Sequence, residues 1–245
     1  MTKEFHITPN IEHYNTLLRC FAPWAETHEE DAIKPMPKSK ENFDLANANL
    51  REALQLLQQM MYVHRLVPNS FIFTTLFFLC KQAKNTKTCH ELLHLMITHY
   101  FGNISFEDNL VSSLLTAAAA DYDWQSVVEL YNMIYSDHTS SDVTGYNRVQ
   151  KVKRYLLYER TGNPRAKDIR LSIKDKVAYM AAQSVPNVFI FTFLYNCARS
   201  CMGKSLSNIE QTLQWIDSEC KRFSIVPDAV MYMELIRIAD IRPNV

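Results

Sequence analysis

His90-Glu91-Leu92-Leu93-His94 is the stretch of this sequence whose residue types and spacing spell a known chemistry. On one helix the two imidazoles would face a single zinc ion, and Glu91 would polarise a metal-bound water. A hydrolytic site also needs a third ligand. The extended zinc-protease pattern HExxHxxGxxH has Ile97 and Tyr100 where its glycine and third histidine belong. His99 is no substitute: five residues past His94, it points about 140° away around a helix. No carboxylate follows in a recognisable third-ligand motif. The expectation is two histidines on a partly exposed helical flank, with no catalytic residues, no metal and no cofactor.

Other reactive groups point the same way. Cys20, Cys80, Cys89, Cys197, Cys201 and Cys220 contain no Cys-x-x-Cys pair, although Cys197 and Cys201 lie one helical turn apart, and they read as reduced, mostly buried thiols. Four glycines in 245 residues disfavour phosphate loops and glycine elbows. The 26 basic and 26 acidic residues cancel, so any anion-binding surface has to be local. The apolar runs are too short and too interrupted to span a bilayer, and no apolar signal core opens the sequence.

The elements that would position any site repeat along the chain. "VPNSFIFTTL" from Val67 and "VPNVFIFTFL" from Val185 agree at eight of ten places, and weaker copies begin at Thr8, Ser141 and Val226. Each sets Asn or Asp ahead of an aromatic-rich segment, where a short polar side chain caps the free N–H groups of a helix start. A second helix follows. "REALQLLQQM" from Arg51 aligns without gaps on "KTCHELLHLM" from Lys87, so that Ala53, Leu56, Leu57 and Met60 correspond to Cys89, Leu92, Leu93 and Met96. "SVVELYNMI" carries Val127, Leu130, Tyr131 and Ile134 in the same register. That spacing makes one apolar stripe per second helix and places His90, Glu91 and His94 off it.

With its units aligned, the chain resembles the pentatricopeptide repeat family along nearly its whole length. The resemblance rests on the Pro-Asn or Pro-Asp lead-ins, the first helices "HYNTLL" and "FTTLFF", and the small-x-x-Leu-Leu-x-x-Met second helices. Tetratricopeptide repeats are the nearest rival, but their Trp-Leu-Gly-Tyr pattern is absent. The resemblance implies an all-α fold, a right-handed superhelical solenoid of about five and a half helix-turn-helix repeats in one domain. The starts Asn69, Asp108, Asp142, Asn187 and Asp228 are 39, 34, 45 and 41 residues apart. Between Asn10 and Asn69, the segment Pro23 to Asp44, with three prolines, reads as a loop inserted in the first repeat.

The function implied by this resemblance is RNA binding, without catalysis, in a mitochondrial ribosome or an organellar RNA-processing complex. Each repeat would contact one base through a residue of its first helix and the residue that opens the next repeat. The pairs are Asn15 with Asn69, Thr74 with Asp108, Ser113 with Asp142, Asn147 with Asn187, and Thr192 with Asp228. By resemblance they spell pyrimidine-G-G-pyrimidine-G. Phe71, Leu110, Phe189 and Val230 would sandwich the bases, while Glu12 and Thr144 depart from that pattern. The same Asn and Asp residues also suit helix capping, which leaves a protein-binding scaffold as the alternative function.

Charge adds one local surface. From Tyr146 to Val177 there are ten Lys or Arg and three carboxylates, a net charge of +7, whereas Pro68 to Gly145 has three basic and eight acidic residues. Arg148, Lys151, Lys153, Arg154, Lys167, Arg170 and Lys174 are the candidate phosphate contacts.

Overall fold

A computed structural model describes residues 8–22, 40–136, 143–182, 184–202 and 209–241. Among these the regular structure is α-helical: α1 (Ile11–Phe21), α2 (Lys40–Gln58), α3 (Ser70–Gln82), α4 (Thr86–His99), α5 (Asp108–Ala118), α6 (Trp124–Tyr135), α7 (Val143–Arg160), α8 (Ile173–Ala181), α9 (Val188–Cys201), α10 (Ile209–Arg222) and α11 (Ala229–Ile241). No described helix is long and apolar enough to cross a membrane. Part of the expected insertion is ordered: residues 40–44 form the start of α2, and the remainder, 23–39, lies outside the described residues.

The helix starts follow from the short polar residues before them. Asn69, Asn187 and Asp228 accept from the N–H groups of Ile72, Ile190 and Met231 at 3.0, 3.2 and 2.9 Å. Asn10 and His13 cap each other reciprocally. The second helices use the same device: Asn85 caps α4 and Asp123 caps α6. Each such cap is worth about 1 kcal/mol. Asp108 departs from this pattern, because it is the first residue of α5 and Glu107 before it makes no side-chain cap.

Scarce glycine shows at the helix ends. Arg65, Lys84, Tyr122 and Ser224 take left-handed backbone at φ 52°, 48°, 64° and 55°, a conformation that Gly162 alone supplies with glycine among the described residues. A side chain in that region costs roughly 1 kcal/mol. Ser224→Gly is therefore expected to raise the thermal midpoint by a few degrees, read by circular dichroism. An unchanged or lower midpoint would mean that the Ser224 side chain contributes something that offsets its strain.

The first helices pack side by side in the order α1, α3, α5, α9, α11, and the first four of them each have a second helix against them: α2, α4, α6 and α10. The apolar stripes supply the core. Ala53 and Leu57 of α2, Met60 in the π-helical turn that follows it, Cys89, Leu92, Leu93 and Met96 of α4, and Val127, Leu130, Tyr131 and Ile134 of α6 are all buried, and Leu56 is half-buried. Phe73, Phe77 and Phe191 of the first helices are fully buried, Phe73 against Tyr100 and Phe191 against Tyr131 of α6.

One unit leaves this order. The fourth repeat was expected to set α7 between α5 and α9, yet α5 packs directly on α9. Asn187 Nδ2 donates to Asp108 Oδ2 at 2.5 Å, and the Cys197 thiol donates to the Leu115 carbonyl at 3.7 Å. The second helices of these two units also meet. Trp215 of α10 stacks edge-on against Trp124 and Tyr131 of α6, with centroids 5.9 and 5.3 Å apart. Tyr131 donates to Glu219, and Arg222 donates to the carbonyls of Tyr135 and Ser136 at the end of α6. The displaced α7 pairs with α8, which packs against both α4 and α6. Lys176 secures it, donating to the Thr98 carbonyl at 2.9 Å while its ammonium lies 4.6 Å from the centre of the Phe101 ring.

Candidate nucleic-acid interface

The first turns of α9 and α11 leave a cleft of about 260 Å³ between them, lined by Val188, Phe189, Thr192, Phe193, Asn196, Asp228 and Val230. Four of these are residues singled out from the sequence: Thr192 and Asp228 as an expected reading pair, Phe189 and Val230 as expected flanking residues. Phe189 and Phe193 pack edge to face at 4.7 Å and make an aromatic wall. The floor is polar, with Asn196 one turn below Thr192. The Thr192 hydroxyl donates to the Val188 carbonyl at 2.9 Å, and Asp228 spends Oδ1 on the cap of α11. An aromatic wall beside one carboxylate oxygen suits a flat ring with an N–H edge. Phe193 and Asn196 were missed from the sequence; the signal was their spacing of four from Phe189 and Thr192 on one helical face.

Below the cleft a buried carboxylate ties its walls together. Glu234 of α11 has no solvent exposure, Arg199 of α9 donates to its Oε2 at 3.1 Å, and Arg237 donates to its Oε1. Arg199 also donates to Asn196 at 2.9 Å, which joins the ion pair to the cleft floor.

The other expected reading positions fare unequally. Thr74 and Phe71 are half-buried on α3, and the Arg19 guanidinium covers the Phe71 ring at 4.6 Å. Asn15 is buried, and its Oδ1 is the single buried side-chain oxygen or nitrogen without a hydrogen-bond partner among the described residues. An orphaned acceptor of this kind costs about 1–3 kcal/mol. Ser113 is half-buried on α5. Leu110 is fully buried, held between α5 and its neighbours, so it cannot flank a base as expected. Asp142 lies outside the described residues. Because α9 follows α5 in the row, the repeat opening beside Ser113 is that of Asn187, and Asn147 sits exposed on α7, away from the row.

The candidate phosphate contacts gather on the α7–α8 hairpin. Lys153, Arg154, Lys167, Arg170 and Lys174 are exposed, and Arg148 is half-buried. Lys151 is engaged within the protein instead, donating to the nearly buried Asp175 carboxylate at 2.7 Å and so joining α7 to α8. Burial pushes the Asp175 carboxyl up, but hydrogen bonds from Lys151 and Ser172 outweigh this and hold it below its ordinary value. A carboxyl lowered in the folded state stabilises the protein above its unfolded pKa, near 4, and that stabilisation is lost as pH falls through the folded value. Lys151→Ala should therefore lower stability by about 1–3 kcal/mol at pH 7, with the difference from wild type shrinking below pH 4 in urea titrations. A constant difference across that range would remove the ion pair as its cause.

His90, Glu91, His94 and His99 are all exposed. The His90 ring bonds back to the Thr86 carbonyl at 2.9 Å, and Glu91 pairs loosely with Lys87 at 3.9 Å. Among the described residues, no three His, Cys, Asp or Glu side chains are grouped to hold a metal. The thiols are equally quiet: burial pushes Cys80 and Cys197 far up, Cys89 to about 12 and Cys220 to about 11, so they stay protonated at neutral pH.

An all-helical protein with a cleft between two helices of a packed row is the class these observations define. No family model matches the chain, and no curated protein matches it.

Proposed function

We propose that the chain is a pentatricopeptide-type solenoid that binds single-stranded RNA along its first helices and works in a mitochondrial ribosome or RNA-processing complex. The observation that carries this reading is the α9–α11 cleft, whose lining includes the pair Thr192 and Asp228 together with Phe189 and Val230. By family resemblance a Thr-Asp pair favours guanine, whose Watson–Crick edge offers the N–H groups that a free carboxylate oxygen accepts. Mitochondrial placement rests on the resemblance alone.

A competition between short single-stranded RNAs differing at one base tests this reading. Asp228→Asn keeps a capping oxygen and should shift preference away from guanine by roughly 1–3 kcal/mol, and Phe189→Ala should weaken every RNA by about the worth of one stacked base, roughly 1–3 kcal/mol. Equal binding of all RNAs by wild type and both variants would rule out base reading at this cleft.

A scaffold that holds proteins is the second reading. It is favoured by the capping bonds that Asn69, Asn187 and Asp228 already make, and by Tyr232, Met233 and Ile236, exposed together on α11.

A further inference from the structure

We propose that the displaced α7–α8 hairpin is a second RNA site, one that grips the phosphate backbone of double-helical RNA, separate from the first-helix row. It deepens the RNA reading above but does not depend on base reading in the cleft. Three observations carry it.

The hairpin is placed for this role by the packing. α8 lies against the second helices α4 and α6, so α7 stands on the second-helix side of the molecule, away from the α9–α11 cleft. Its inner face carries Val152 and Leu156, the latter against Gly102, and Tyr155 packs on Phe101 with centroids 6.3 Å apart. Helical periodicity then turns Tyr146, Lys153, Arg154 and Leu157 outward.

Six of the hairpin's cations lack an ion pair among the described residues. Lys153, Arg154 and Arg160 on α7 have no ion pair among the described residues, and neither do Arg165, Lys167 and Arg170 in the segment that follows. Of the three nearby carboxylates, Asp175 is taken by Lys151, Glu159 is drawn to Tyr155, and Asp168 is exposed between Lys167 and Arg170, one negative charge against the six cations. Such a density of unpaired charge in a neutral chain has a polyanion as its complement.

The remaining surface selects which polyanion. On the hairpin the large apolar groups in solvent are Ile173 of α8, at 54% exposure, and, on α7, Tyr146 and Leu157, at 65 and 57%. Eleven residues apart, the two on α7 are separated by roughly 16 Å along the helix and form no shared anchor of the kind a protein partner needs. A single exposed tyrosine also provides little for the stacked bases of a single strand, whereas cations spread over a rigid hairpin suit a regular backbone. Double-helical RNA is the occupant that remains.

The experiment uses the full chain with two labelled probes, a blunt RNA stem of about one and a half turns and an unstructured single strand, titrated across salt concentrations. Wild type should bind the stem with strong salt dependence. The combined Lys153→Gln, Arg154→Gln and Arg160→Gln variant, which spares Lys151, should lose on the order of 100-fold in stem affinity and flatten its log–log salt slope by about three, with its melting curve and its single-strand binding unchanged. Stem binding by the variant equal to wild type would overturn the proposal. So would tighter binding of polyglutamate than of the stem, which would assign the hairpin to acidic proteins. Single-strand binding without stem binding would remove this site and leave the cleft reading standing; stem binding without single-strand binding would do the reverse.

Discussion

Glu234→Ala is expected to destabilise the protein by about 3 kcal/mol and to weaken single-stranded RNA binding with it. The carboxylate is fully buried, and its ion pair with Arg199 joins α11 to α9 immediately beneath the cleft. Removing one partner of a buried pair costs about 3–5 kcal/mol when the other charge is stranded. Here the figure falls at the low end, because the Arg199 and Arg237 side chains are 24 and 43% exposed and can turn to water. The coupling to function is geometric. Val230 lies one helical turn above Glu234, and Asn196 is bonded to Arg199, so both walls of the cleft lose the same fastening. Glu234→Gln keeps the shape and some hydrogen bonds, and should lose less on both measures. Denaturant unfolding with RNA titration of the two variants checks this; if Glu234→Ala melts early yet binds RNA normally, the cleft is not shaped by the pair.

Local rules were readable in the chain, and the structure shows why. Asn10, Asn69, Asn187 and Asp228 cap helices because a short acceptor before an aromatic run has one low-energy use there, independent of what lies further off. The apolar stripes were equally legible, since burial of one face at a period of 3.6 residues needs only the helix itself. The order of the units in space was not. Whether α5 meets α7 or α9 is decided by contacts between residues some eighty positions apart, among them Asp108 with Asn187 and Tyr131 with Glu219. Spacing along the chain carries no record of these. The one hint was charge, because so basic a unit could not be packed on both sides without burying its cations.

The candidate site divides along the same line. Thr192, Asp228, Phe189 and Val230 fall in one cleft because consecutive first helices, α9 and α11, do lie side by side. The pairs Ser113 with Asp142 and Asn147 with Asn187 were drawn across the unit that is displaced. Leu110 shares its register with Phe71 and Phe189, yet it is fully buried where those two are half-buried, a difference that register alone does not record. Lys151 could not be separated from the other cations by sequence, since its partner Asp175 is 24 residues away and on another helix.

The His-Glu-Leu-Leu-His stretch yields the second large effect, and it comes from the residues between the histidines. Leu92 and Leu93 are buried at 4 and 6% exposure beside the fully buried Met96, whereas His90, Glu91 and His94 face solvent. Leu93→Ala removes three carbons from a packed layer that cannot fully collapse, and is expected to cost about 2–5 kcal/mol. Glu91→Gln loses one loose surface pair, a contact of the kind worth at most about 1 kcal/mol, and should leave stability and RNA binding at the wild-type level. Were this stretch a hydrolytic centre the order would invert: Glu91 would be indispensable to activity, and a metal would hold the two histidines in place. Urea unfolding of both variants, with metal analysis of the purified wild type, decides between the two. A stoichiometric zinc, or a Leu93→Ala variant as stable as wild type, would show that the helix presents a different face from the one described.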